Sequence, residues 1–199
     1  MFHEIWGDLS KNSILQYEIA HTLFNQLSLC SKICGGNTAE VGVYEGMTSK
    51  MIINICKKPH YCYDTFEGIA GSNTFYGDKH GNGEFVCHLD KVKLNLYQAP
   101  HHHNKVNIIY KKGFFPETFE EHDCSFCLVY SDTATYLGAK TTFEYFAPTI
   151  ILGGKIIYYV DNNCVGVINA TNEIIQQNIT NNSTFRVSHT DNFIIFTKN

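Results

Sequence analysis

The stretch that most restricts what this chain can fold into is Glu40-Val41-Gly42-Val43-Tyr44-Glu45-Gly46, a short apolar strand that ends in glycines and runs straight into the amphipathic segment Met47–Cys56. A strand that leaves a sheet at its carboxyl end and turns at once into a helix needs residues without a Cβ where the backbone closes, and Gly42 and Gly46 supply them. The helix that follows offers unpaired N–H groups to whatever lies above it. The spacing Glu-x-Gly-x-x-x-Gly differs from the Gly-x-Gly-x-x-Gly that admits a pyrophosphate, and a carboxylate at Glu40 would repel phosphate.

An acidic strand end suits a cation. S-adenosylmethionine carries an ammonium and a sulfonium, so its approach to Glu40 is favourable where that of a phosphate is not. The motif taken alone is equally compatible with a strand-to-helix turn that holds no ligand. A second anchor lies about twenty residues on, where a short strand over residues 61–64 closes on Asp64. A carboxylate there accepts both hydroxyl protons of a ribose, or else caps the turn that follows.

At 199 residues the chain is long enough for one substantial core and short for two domains, which makes residues 1–36 a helical cover on a single domain spanning 37–199. Hydrophobic residues at 44% and charged ones at 17% place it among chains that fold alone. A net charge of −4 without a long Lys/Arg run argues against a nucleic-acid surface. The eight cysteines are scattered, several within apolar runs, and read as buried reduced thiols. Cys124-x-x-Cys127 has no second Cys/His pair at zinc-finger distance. No apolar N-terminal stretch reaches signal or membrane length, so a cytoplasmic protein without a membrane partner is expected, and its Asn-x-Ser/Thr sequons carry no glycan.

Taken in order, residues 2–29 carry apolar side chains at helical steps, a helix suited to covering a sheet edge, closing a lid or forming a homodimer contact. Residues 65–83 hold five glycines without a sustained period and read as a long functional loop. Residues 84–99 are helical, and the run His101-His102-His103 that follows reads as solvated loop, because adjacent side chains diverge. Strands follow at 106–110 and Phe126–Ser131, the latter closing on Asp132. A helix over 138–151 ends at Gly153-Gly154, and a fifth strand over 155–160 arrives at Asp161-Asn162-Asn163. Strand and helix alternate throughout, which implies a doubly wound α/β fold, a mostly parallel seven-stranded sheet with helices on both faces. A last helix and a closing antiparallel hairpin over 184–188 and 193–197 set this sheet apart from the all-parallel dehydrogenase type.

These pieces together resemble the macrocin O-methyltransferase family, class I enzymes that methylate sugar hydroxyls of macrolide and aminocoumarin antibiotics with S-adenosylmethionine. The likeness covers residues 39–166. It is carried by Glu40–Gly46 with Met47-Thr48-Ser49, by Tyr63-Asp64-Thr65-Phe66-Glu67-Gly68, by Asp78-Lys79-His80 with Gly83-Glu84-Phe85, by Gly113-Phe114-Phe115-Pro116-Glu117-Thr118, and by Asp132 with Tyr136. The resemblance implies that Glu40, Gly42, Tyr44, Gly46 and Thr48 border the methionine end of the cofactor, that Asp64 and Thr65 hold the ribose, and that Phe66 and Phe114, with Gly113 at the turn, hold the adenine. It implies Asp132 as base for the acceptor hydroxyl and as a ligand of Mg²⁺, which would lower the high pKa of that hydroxyl.

The chain departs from the pattern where the family has two adjacent aspartates at the end of the fifth strand. Here that place holds Tyr159-Val160, and Ala134 replaces another acid. Asp161-Asn162 lies two residues further on, and a slip of two keeps a strand's facing, so a weaker Mg²⁺ site of Asp132, Asp161 and Asn162 is the expectation. The reading is therefore an O-methyltransferase with a sugar, glycan or glycosylated small molecule as acceptor. Its rival is a binding protein that keeps the pocket and has lost the chemistry, a possibility raised by Tyr159 and Val160.

Overall fold

The computed structural model describes residues 2–9, 15–97, 106–120, 122–180 and 184–199, and the run 101–103 lies outside them. Among the described residues the order is α1 (Phe2–Leu9), α2 (Tyr17–Cys30), β1 (Asn37–Val41), α3 (Met47–Cys56), β2 (His60–Asp64), α4 (Leu89–Tyr97), β3 (Ile108–Lys112), β4 (Phe126–Ser131), α5 (Tyr136–Phe146), β5 (Ile150–Tyr159), α6 (Val165–Thr180), β6 (Phe185–His189) and β7 (Phe193–Lys198). Short 3₁₀ turns lie at Thr74–Tyr76 and Ala147–Thr149. The seven strands form one sheet in the order β3-β2-β1-β4-β5-β7-β6. Strands β1 to β5 pair in parallel, and β7 runs antiparallel to both β5 and β6. No helix among the described residues is long and apolar enough to cross a membrane.

Alternation along the central strands sends side chains to both faces. Val129 of β4 with Ile156 and Tyr158 of β5 face α5 and α6, whereas Leu128, Tyr130 and Ile157 face α1, α2 and α3. A third cluster packs α4 over β2 and the turn after β1, through Val43, Cys62, Val92 and Leu96. On the α5 side Phe146 is fully buried, stacked on Phe115 at 5.6 Å and edge-on to Tyr63 at 5.5 Å. Burying one such ring contributes about 1.5–3 kcal/mol.

Several boundaries differ from the sequence reading. Residues 2–29 form two helices rather than one. Helix α5 stops at Phe146 because Pro148 in the following turn has no N–H to donate, and β5 begins at Ile150 and runs through the glycines expected to end the helix. Gly153, at φ +76°, absorbs the bulge where the β4 register steps from Phe126↔Ile150 to Leu128↔Lys155. Helix α4 starts at Leu89 because Glu84 belongs to the loop before it, where its carbonyl accepts from Ile69 N–H at 2.8 Å.

That loop, residues 65–86, is fastened rather than loose. Asp78, buried to 5% exposure, accepts from Asn73 N at 2.9 Å through Oδ2 and from Tyr136 N at 2.7 Å through Oδ1. Its carboxylate thus caps the first turn of α5, where negative charge is favoured. Gly77 O accepts from Gly166 N at 3.1 Å, and Tyr76 stacks on Tyr136 at 4.4 Å. A Cβ at Gly166 would overlap Asp78 Oδ1. Gly166→Ala is therefore expected to displace Asp78 and cost about 1–3 kcal/mol, read from the midpoint of denaturant unfolding.

Candidate active site

The strand order reverses between β1 and β4, whose following helices α3 and α5 pack on opposite faces of the sheet. Such a reversal opens a crevice beyond the carboxyl ends of the strands. A cavity of about 400 Å³ occupies it, within the size range of small-molecule sites. Its walls come from the turn after β1, from Asp64 and Thr65 after β2, Gly113 and Phe114 after β3, the segment 132–135 after β4, and Tyr159 and Asp161 at the end of β5.

Gly42 turns the chain at φ +86°, its N–H donating to Tyr63 O at 3.0 Å, while Asp132 N donates to Val41 O at 2.9 Å. A Cβ at Gly42 would overlap the Asp132 carbonyl oxygen, so the two strand ends approach this closely only with glycine here. Tyr44 and Thr48 also line the cavity. Gly46 does not. It sits at φ +81° at the start of α3, and a Cβ there would lie 3.1 Å from Val92 of α4, so its role is close helix packing.

Asp64 reaches the cavity but is more committed than expected. Its Oδ2 accepts from Val43 N at 2.6 Å and Tyr44 N at 3.1 Å, and its Oδ1 from Phe66 N at 2.7 Å. These bonds fill both acceptor positions of Oδ2 and leave room on Oδ1 alone, so Asp64 fixes the β1 turn and keeps only one oxygen for a ribose hydroxyl. Thr65 lines the cavity while its hydroxyl donates to Gly68 O at 2.6 Å. Phe66 is 1% exposed and packs beside Val92 and Leu96, turned inward by its φ of +55°. Of the two residues expected at the adenine, only Phe114 lines the cavity, together with Gly113. Phe85, edge-on to Tyr44 at 5.7 Å, is a lining aromatic that sequence reasoning passed over.

Glu40 lies in the floor of the cavity, 1% exposed, and accepts from Ser49 Oγ of α3. Ser49 Oγ in turn lies 3.0 Å from His60 Nε2, and His60 Nδ1 lies 2.9 Å from Thr38 Oγ1. Burial, with Asp132 and Asp64 nearby, raises the Glu40 carboxyl well above the usual carboxylate range, against the Ser49 hydrogen bond that lowers it. Ser49 and His60 were not singled out from the sequence. The signal was there as polar residues at every second position, Thr38 and Glu40 on β1 facing His60 and Cys62 on β2, and only the register Thr38↔His60 gives it meaning.

Asp132, half-buried at the end of β4, is pushed up to about 7 by desolvation. Asp161 shares the cavity, but its Oδ1 is taken by Asn163, whose N and Nδ2 donate at 2.7 and 2.8 Å. Asn162 is not on the cavity wall, and Tyr159 occupies the wall where the family resemblance would place an acid. Of the three expected Mg²⁺ ligands the cavity therefore brings together two, Asp132 and a half-engaged Asp161, and leaves out Asn162. The His/Cys/Asp/Glu group that converges among the described residues is Glu120, His122 and Asp123, and there the Lys111 ammonium already sits 3.0 Å from Glu120 and 2.9 Å from Asp123.

No protein-family model matches the chain, and no curated protein matches its sequence. Solved structures match in shape. The O-methyltransferase NovP superposes with a TM-score of 0.71 at 16% identity, over 90% of this chain and 81% of its own. CalS11, a calicheamicin methyltransferase, gives 0.69 at 16% identity, over 98% and 91%. An O-methyltransferase from Bacillus cereus in complex with SAH gives 0.61 at 13% identity, over 100% and 90%. The fold is that of the class I methyltransferases. Identities this low carry the fold and not the macrocin branch that the sequence motifs resemble. The crevice at the β1/β4 reversal has an acidic floor in Glu40, backbone room at Gly42 and an aromatic wall that includes Phe114.

Proposed function

We propose that this protein binds S-adenosylmethionine in the cavity and transfers its methyl group to a hydroxyl of a sugar, glycan or glycosylated small molecule. The observation that carries the reading is Asp132, a carboxyl pushed up to about 7 and set beside the Gly42 turn in the same cavity as Glu40. When bound, the cofactor supplies a methyl group activated by a positive sulfur. The chain supplies the rest. Glu40, Tyr44 and Thr48 bound the methionine end, Oδ1 of Asp64 with Thr65 meets the ribose, and Phe114 the adenine. Leu15 and Ile19, at and near the start of α2, close the cavity with apolar side chains and keep bulk water from the reacting centre.

A sugar hydroxyl is too weak an acid to attack without losing its proton. Asp132 accepts that proton, and a base whose pKa lies close to the working pH combines useful basicity with a substantial ionised fraction. The hydroxyl class rests on the fold shared with NovP and with CalS11, which is described as a TDP-rhamnose 3′-O-methyltransferase.

Isothermal titration with S-adenosylhomocysteine tests the cofactor, and the absence of both heat and a thermal shift would overturn the reading. Transfer to TDP-rhamnose and a panel of other sugar nucleotides and glycans tests the acceptor. Because Asn162 is off the cavity wall and Asp161 is half-engaged, Asp132 is expected to act without a metal, so activity should persist in excess chelator, and a loss of tenfold or more, restored by Mg²⁺, would return Asp132 and Asp161 to the role of ligands. Tyr159 in the cavity wall favours a second reading, a cofactor-binding protein without transferase activity. Tight cofactor binding with no transfer across the panel is the result that reading expects.

A further inference from the structure

Thr38, Glu40, Ser49 and His60 are all 1% exposed or less, yet they form a continuous polar chain beneath the cavity. Its four links are Glu40 Oε2 with Ser49 Oγ, Ser49 Oγ with His60 Nε2 at 3.0 Å, His60 Nδ1 with Thr38 Oγ1 at 2.9 Å, and Thr38 Oγ1 with Pro59 O at 3.2 Å. A buried network of this kind is costly unless each member is satisfied. Counting protons shows two ways of satisfying it. Burial pulls His60 down to about 3, so its imidazole is neutral and holds a single ring proton.

With Glu40 protonated, every link carries a proton: the carboxyl donates to Ser49, Ser49 to Nε2, Nδ1–H to Thr38, and Thr38 to Pro59 O. With Glu40 ionised, the chain reverses as a unit. Ser49 donates to the carboxylate, Nε2–H to Ser49 and Thr38 to Nδ1. The longest link, at 3.2 Å, is then empty, and Pro59 O keeps the Thr38 N–H at 2.9 Å. The groups facing Glu40 are His60, Cys62 and Asp64 from β2, Ser49 from α3, and Tyr130 and Asp132 from β4. The charged ones that act on it are both anionic, so the free site gives an ionised Glu40 no counter-ion, whereas a ligand ammonium does.

We propose that Ser49 and His60 are positioning residues for the cofactor's ammonium group: their reversible chain holds Glu40 protonated in the free protein and ionised in the complex, so that capture of the ligand releases a proton. This rests on the reading of the cavity as an S-adenosylmethionine site. The net change is one proton lost to solvent: the Glu40 O–H bond breaks, the ring proton of His60 passes from Nδ1 to Nε2, and the Ser49 and Thr38 hydroxyls reverse their donation.

The test is calorimetric titration of the full chain with S-adenosylhomocysteine near neutral pH, in phosphate and in Tris, whose ionisation heats differ widely. The wild-type heat is expected to differ between buffers by the amount for about one proton released per ligand, with affinity falling as pH falls. Glu40→Gln is expected to abolish the release and weaken binding roughly tenfold or more. Ser49→Ala, which removes the donor to the ionised carboxylate, is expected to move the pH at which affinity levels off upward; a merely structural Ser49 would leave that pH unchanged. Binding with no buffer dependence in the wild type, or an undiminished release in Glu40→Gln, would overturn the relay and leave the cofactor reading standing. No binding at all would overturn both.

Discussion

Asp132→Asn is expected to reduce methyl transfer by about 10²–10⁴-fold while the protein still folds and still binds S-adenosylhomocysteine. The amide keeps the shape of the side chain and removes its basicity, so a loss confined to kcat identifies the carboxylate as proton acceptor. In the wild type the base is competent only when ionised, so activity should rise with pH through about 7 and level off above it. Stability carries the opposite sign. A carboxyl whose folded-state pKa is raised holds its proton longer in the native protein than in the unfolded chain, so its favourable contribution is complete in acid and is lost as pH rises through about 7. Asp132→Asn should therefore match the wild type's melting temperature at acidic pH and exceed it at alkaline pH. Unchanged turnover in the variant would remove Asp132 from the chemistry.

Gly42→Ala is expected to have the largest structural effect of any single methyl addition near the cavity. A residue with a Cβ at φ +86° is strained by about 1–2 kcal/mol, and the added carbon would overlap the Asp132 carbonyl oxygen and lie 2.7 Å from its carbon. Those atoms are backbone at the end of β4 and have no rotamer by which to withdraw. With overpacking of about 1–3 kcal/mol added, the expected loss is about 2–5 kcal/mol, together with loss of cofactor binding as Glu40 and Asp132 part. Gly83→Ala is the control. Gly83 has a similar φ of +84° with nothing near its Cβ position, so it should show the strain alone. Equal destabilisation of the two variants in urea would mean that the β1/β4 approach is not tight.

The sheet was legible because its strands are short, mostly apolar runs, each closed by a glycine or an acid, a local pattern that survives without knowledge of neighbours. The tips Glu40, Asp64 and Asp132, singled out at three strand ends, line one cavity. What failed depended on contacts distant in sequence. Phe66 follows Asp64 and Thr65 directly, yet a positive φ turns its ring into the α4 cluster, and no pattern in the residues announces that reversal. Gly153-Gly154 looks like a helix stop until Pro148 is seen to have ended the helix earlier. Residues 65–83 were read as a long functional loop and not as a packed element because Asp78 finds its partner at Tyr136, 58 positions away. Asn162 was carried to the metal by strand alternation, but Tyr159 is the last residue of β5 and alternation no longer applies beyond it.

The placing of β7 between β5 and β6 bears on biosynthesis. Strand β6 joins the sheet only through this one strand, which is the last of the seven to be made. Until it leaves the ribosome, β5 presents an open edge and the rings of Tyr130, Tyr159 and Phe143, on which Phe193 and Phe196 pack, have no cover, so a nascent chain stalled before that point would be a natural client for chaperones.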